Sequence, residues 1–574
     1  MVIHKRHAQL LKIAAEKGIK FSDVEGDDIS YLDQLDKMGL IELDEEGIFA
    51  PTYSGALLIE TIESAPEFGG LPLEKWDEDF RFIGSEIISM LHTAYLTQSR
   101  TGPVFEKELG IRGFAKDGKL TPIAHNVIEL FEKAHPRLVI SRELADYLRK
   151  MPPGPGYRKH LPAEKHVLLE LEGMRLLSFS IPKSDIFSLS GLGQQLRAAI
   201  IHSAPAYEVI IEERILRAFL RGDYRELPEF SRLVAMAFVK PDGELLTAGR
   251  HLIPAARIYF EGPITLNPSV DLQLFDIYAL KCLEELEKNG ERPSEERVAD
   301  LIKKKFKLES INVRKHLYRL VAARLADICF SGDEECFRLT DWGREACEDQ
   351  VKRERPIPAH AVKSITLTRM EYTAPEYEWF TAGEKAGLTG NGYPSKSGLL
   401  YARIASNSRR IPFIDRTAAN ALRLIPLTRG IYLEELRALW KESGNLDDIL
   451  SHLDASLIVD LLPGEALVLT EVGKLIKRAI QGCPESTQYP ITPALALLVS
   501  KLGDHLEEGA EFTEALKRTE KELGFPSKYV ENLVLAARRC RYLSARNLTQ
   551  NGKYLRQAVK LLTEIREIWE EIMV

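Results

Sequence analysis

One short phrase recurs along the chain and restricts what the chain can fold into. Leu339-Thr340-Asp341-Trp342-Gly343 returns as Leu469-Thr470-Glu471-Val472-Gly473 and as Leu548-Thr549-Gln550-Asn551-Gly552. Looser copies are Pro51-Thr52-Tyr53-Ser54-Gly55, Leu120-Thr121-Pro122-Ile123-Ala124 and Leu189-Ser190-Gly191-Leu192-Gly193, with a shortened form at Leu246-Thr247-Ala248-Gly249. A hydrophobic residue ends an extended segment, and Thr or Ser takes the helix N-cap position, where its hydroxyl accepts an orphan backbone N–H. Glycine three positions later costs up to about 1 kcal/mol of helix propensity, so its reuse implies that another segment approaches the first turn closely. The phrase marks a strand-to-helix junction.

Successive Thr or Ser positions are 69, 69, 57, 93, 130 and 79 residues apart. A period near 70 to 80 residues exceeds that of common solenoids and fits a complete small domain repeated in tandem. The interval from Thr340 to Thr470 is about 55 residues too long on this period.

Each repeat reads as helices, a short hairpin with a polar turn, and a closing helix. Over 1–70 the helices run at 8–17 and 29–37, Leu40-Ile41-Glu42-Leu43 and Ile48-Phe49 flank the turn, and Thr52 opens the last helix. The run from Met38-Gly39-Leu40-Ile41-Glu42 to Thr52 resembles the winged helix-turn-helix family. That resemblance implies a mainly α fold with short β-hairpin wings, as tandem winged-helix domains in an extended or curved array. The units expected are 1–70, 80–158 with a Pro/Gly linker at 151–156, 160–262 as one elaborated or two abbreviated units, 270–352, 431–482 and 488–574. Residues 355–430 are expected to be a Gly/Arg-rich insert. Several such units around a central Arg- and Gly-rich segment also resemble an archaeal family of uncharacterised proteins.

Composition narrows the compartment rather than the activity. No apolar stretch is long enough to span a bilayer, and the six cysteines show no C-x-x-C pair or zinc spacing. A cytoplasmic protein with reduced thiols is expected. A formal charge of -8 argues against a nucleic-acid coat along the whole length but leaves room for a local basic face.

Two regions carry the candidate contacts. In 270–352, Val313, Leu317, Leu320, Val321 and Leu325 form a buried stripe on the third helix, which sets Asn312, Arg314, Lys315, Tyr318 and Arg319 outward. Cationic and amide side chains on such a face suit a major groove, with Lys304 and its neighbours Lys303, Lys305 and Lys307 meeting phosphates. The wing tip Asp333-Glu334-Glu335 opposes this. Residues 391–430 carry Lys396, Arg403, Arg409, Arg410, Arg416, Arg423 and Arg429 against one acid, Asp415, with aromatics between them. The alternative is a basic segment folded against acidic neighbours. The helix of the first unit, with Asp27, Asp28, Asp33 and Asp36, repels a polyanion, whereas the last unit is mixed, with Lys528, Asn532, Arg538 and Arg539.

The run from Gly387 to Gly398 invites a phosphate-loop reading but lacks the Walker order. No nucleophile, base and orienting acid assemble locally, and no cofactor or metal is assigned. In the last helix Ala558, Leu561, Ile565, Ile568 and Ile572 step as a coiled-coil seam does, open to a homodimer or to packing inside the chain. The leading expectation is a non-enzymatic protein of nucleic-acid-associated regulation or assembly. The alternatives are a protein-interaction scaffold without nucleic acid, and an enzyme or ligand-binding protein with its site near Gly387 to Arg410.

Overall fold

A computed structural model describes residues 1–572 apart from 99–100, 134–135, 162–164, 182–184, 263–266, 309–310, 368–373, 408–409 and 443. It is mainly helical, 58% of the chain, with small antiparallel sheets. Each recurring phrase builds the same local clamp. A helix ends in a residue of left-handed conformation (Gly39, Gly113, Arg175, Ala237, Arg324, Gly387, Leu457, Arg541; φ 57 to 74°). The hairpin follows, and the cap residue that opens the next helix then turns back on that helix end. Its backbone N–H donates to the carbonyl just after the left-handed residue, at 2.8 to 3.2 Å in all eight copies. In seven copies its hydroxyl also donates to the carbonyl of the left-handed residue itself.

The glycine now has a physical reason. A Cβ on Gly55, Gly193, Gly249, Gly343, Gly398, Gly473 or Gly552 would lie 1.8 to 2.2 Å from that same carbonyl oxygen. The second copy has Ala124 there. In the fourth, the cap is Leu246 rather than Thr247, so the phrase keeps its full three-residue spacing to Gly249 and lacks only the hydroxyl.

One clamp falls inside the expected insert. Ser395 donates through its backbone N–H to Leu388 O, and its hydroxyl accepts from Gly398 N at 3.1 Å. The glycine-rich run is therefore a hairpin, Thr389–Gly390 with Tyr393–Pro394, turning through left-handed Asn391 and Gly392. The amides of Gly387, Leu388, Ser395 and Gly398 are engaged within the helix end and the cap, which an anion cradle would need free. Residues 355–430 include a complete repeat, and its clamp divides the long interval at Ser395.

Eight clamps define eight units, which pair into four cores. Buried clusters span 1–130 together with Ile181, then 138–259, then 270–413, and finally 411–569. Within each pair the leading edges of the two units meet in antiparallel pairing: Ile3 with Ile83, Ile140 with Ile211, Leu272 with Ile357, Ile414 with Ile491. All eight residues are at most 1% exposed. The sequence of unit types repeats after four. The second and sixth turn through two left-handed residues, Asp117-Gly118 and Asn391-Gly392. The third and seventh have three-stranded sheets, and the fourth and eighth keep single bridges, Val239 with Leu245 and Leu543 with Leu548; the first and fifth differ, with three strands and two.

The two halves interlock instead of running on as an extended array. The second unit docks on the seventh, where Gly430 N–H donates to Leu96 O at 3.0 Å and the Thr97 and Tyr432 hydroxyls lie 3.2 Å apart. The sixth docks on the third in the same way, with the Tyr157 hydroxyl donating to Glu384 at 3.0 Å. The Pro/Gly stretch 151–156 is mostly buried in this contact rather than an open linker, since Gly154 lies under Pro394 and Gly156 under Gly392.

Gly473→Ala tests the clamp by its sign. In an open helix the exchange stabilises by about 1 kcal/mol, but at this position we expect a loss on the order of 1–3 kcal/mol from overpacking. The control is Gly173→Ala, where nothing lies within 4 Å of the new methyl, and denaturant midpoints of the two variants should move in opposite directions.

Candidate nucleic-acid interface

The helix predicted to read a groove is largely covered. In Val313–Ala322, Tyr318 and Arg319 are 6% and 5% exposed, so the face set outward by the apolar spacing is a second buried face. Arg319 pairs with Asp271 and, at 3.0 Å, with Asp276, whose other oxygen lies 2.7 Å from His316 Nδ1. Burial alone would raise Asp276, but Arg319 and His316 outweigh it and hold its carboxyl below the usual range. Asp271 is pushed up to about 6 by burial, which Arg319 only partly offsets. Asn312 caps the helix and accepts from the Tyr489 hydroxyl at 2.8 Å, while Lys315 pairs with Asp415 at 2.7 Å. Arg314 is half-exposed and pairs with Glu295. The wing carboxylate Glu335 accepts from Tyr318 and from Tyr529 of the eighth unit.

The basic stretch disperses in the same manner. Arg410 is 8% exposed and donates to three backbone carbonyls, Ser269, Ala405 and Ala455, with Trp569 beneath its guanidinium at 6.0 Å. Burial lowers its pKa to about 10. Two of those carbonyls belong to the last turns of Lys396–Asn407 and Leu446–Ala455, where a cation complements the helix dipoles. Arg403 lies exposed beside Glu345, and Lys396 and Lys304 are exposed. Arg409 lies outside the described residues. Among the described cations of this stretch, buried Arg410 is thus withdrawn from any surface that exposed Lys396 and Arg403 share.

An uncovered basic face does exist in the eighth unit. Phe512–Leu523 and Ser527–Arg539 are joined by the three-residue turn Gly524-Phe525-Pro526, with Gly524 left-handed. On the second of these helices Lys528, Asn532, Leu535 and Arg539 step by four, three and four and are all exposed, Leu535 by 59%. Its other face is held by the fifth unit's hairpin, where Phe330 meets Phe525 and Tyr529. The reduced hairpin that follows carries Arg541 and Arg546 exposed, with no acid at its tip. Among the described residues none of Lys528, Arg538, Arg539, Arg541 and Arg546 is in an ion pair. The sequence shows the mixed charge here but carries no sign that this helix is left open.

The last helix, Gln550–Ile572, turns Ala558, Leu562, Ile565 and Trp569 into the chain's own core and leaves Ile568 39% exposed. Among the described residues no helix is long and apolar enough to cross a membrane.

Comparison with known proteins agrees with a whole-chain relationship. A sequence profile described as "Protein of unknown function (DUF505)" matches residues 1–317 and 299–559. An uncharacterized protein of Methanocaldococcus jannaschii, MJ1355, is 23% identical over 597 residues, covering 97% of this chain and 99% of the relative. No solved structure matches.

Arg319→Met should lower stability by about 3–5 kcal/mol at neutral pH, because it strands two buried carboxylates. The sign of the pH dependence follows from Asp276. Its depressed value contributes stability that is fully present above the ordinary carboxyl range and is lost only as pH falls below it, so in denaturant melts the variant's deficit should narrow below about pH 4.

Proposed function

The chain belongs to the DUF505 family, and on that premise we propose that it is a tandem winged-helix protein that binds nucleic acid through its eighth unit. Helices, hairpin and capped helix in each repeat support the winged-helix reading. The observation that carries the function is the uncovered helix Ser527–Arg539, whose cations have no ion-pair partner among the described residues of a chain of charge -8. A cationic stripe with one amide, Asn532, and one apolar side chain, Leu535, suits phosphate contacts flanking a few base contacts. Arg541 and Arg546 extend the positive face along the backbone. The fifth unit serves as a platform, since its third helix is covered and its hairpin props the eighth.

Duplex and single-stranded probes titrated at several salt concentrations test this. Arg538→Glu with Arg539→Glu should weaken binding and reduce the slope of log affinity against log salt by about 2. Arg314→Glu should leave both unchanged. Equal slopes for the Arg538/Arg539 variant and the parent protein would reject the eighth unit as the contact surface.

A further inference from the structure

A second site lies where the two halves meet, far in sequence from the eighth unit. A cleft of about 490 Å³ is bounded by residues of the second, third, fifth, sixth and seventh units. Its lining holds seven carboxylates, one histidine, His360, and no lysine or arginine. Trp379 lines it opposite in the repeat to Phe105, which also lines it; each stands three positions after the start of the matching helix cap, at Glu376 and Gly102.

Acidic side chains alone do not make a site, and most of these have partners. Asp271 is held by Arg319 and Ser451, and Asp454 by Lys363 at 3.0 Å. Glu376 is different. It is 9% exposed, and among the described residues its carboxylate accepts one bond, from the Gly464 backbone N–H, and no cation pairs with it. Burial raises its pKa to about 7, with Glu378 and Glu465 adding to the shift. A carboxylate this deep ordinarily takes a counter-cation or stays protonated. Here it faces a cavity that also presents apolar side chains, including Leu433, Leu450 and Leu461.

We propose that this cleft binds an organic amine with two or more charges joined by an aliphatic chain, one ammonium seated on Glu376 and another on Asp448 or its neighbours. The aliphatic part lies on the leucines and beside Trp379, which combines cation–π attraction with apolar burial. Among the described residues no three His, Cys, Asp or Glu groups converge as a metal ion requires, which favours an extended organic cation. The site is independent of the nucleic-acid reading, because no lining residue belongs to the eighth unit.

The titratable groups that share the cleft with Glu376 are Glu378 beside it, Glu465, His360, Asp271, Asp447, Asp448 and Asp454. Only ionised Glu376 holds an ammonium, so affinity should rise about fivefold from pH 6 to 7, about tenfold in all by pH 8, and level off above that. Titration calorimetry on the full chain would use 1,4-diaminobutane, with butylamine for comparison. Saturable binding is expected, tighter for the diamine, and E376Q should weaken it at least tenfold at pH 8. E376Q should also melt at the same or a higher temperature, because it removes an unpaired buried charge while keeping an acceptor for Gly464. Absence of diamine binding, equal affinity for butylamine, unchanged affinity in E376Q, or a lower melting temperature of E376Q would each overturn the assignment.

Discussion

The fold depends on one close approach, that of the first turn of each closing helix to a carbonyl at the end of the preceding helix. A methyl group would not fit between them in seven of eight copies. The approach lets the cap residue bond two consecutive carbonyls, which fixes where the hairpin leaves and where it returns. Those carbonyls are among the orphans that every helix end must satisfy. The glycine's cost in helix propensity is thus offset by satisfying buried backbone, and the angle between two helices becomes a local property of about four residues.

Once the angle is fixed, a single unit buries too little apolar surface, and the units close on each other in pairs. The strand pairing between leading edges, all at most 1% exposed, lies at the middle of each pair. Buried cations then act within and between the pairs: Arg319 ties the fifth unit's helix to its own leading edge, whereas Lys363 reaches Asp454 and Asp460 of the seventh and Arg410 gathers three backbone carbonyls from the fifth, sixth and seventh. Burial pulls Lys363 down, but its two carboxylates outweigh this and raise it. Such groups add little net stability when complete, yet removing one partner is costly, so they specify which surfaces meet.

The clamps were legible because they are local: hydroxyl, hydrophobic residue and glycine lie within five positions. The copy at Ser395 escaped notice because its Ser precedes the helix after a two-residue hairpin, and its glycines read as a loop. Arg319 and Tyr318 were misplaced for a different reason. Apolar periodicity on Val313–Ala322 marks one buried face, whereas this helix has two, and the second is polar and satisfied by Asp271, Asp276 and Glu335. Arg410 could not be distinguished from a surface arginine, because its partners are carbonyls 5 to 141 residues away. No local motif encodes the cleft, whose walls come from five units.

The repetition of unit types after four gives the molecule an internal comparison. The second and sixth units match in spacing, with eleven residues from helix cap to left-handed glycine in each, Gly102 to Gly113 and Glu376 to Gly387. At the first of these positions one half has a bare glycine pressed on the ring of Tyr432, and the other has a carboxylate. Glu172 and Asp454, by contrast, both stand three residues before a left-handed residue and each is met by a cation, Arg81 and Lys363 respectively. One half therefore records what the backbone requires by itself, and whatever the other half carries in addition is specialisation. Duplicated chains of this kind hold their own reference state, and differences between their halves can be read without any other protein.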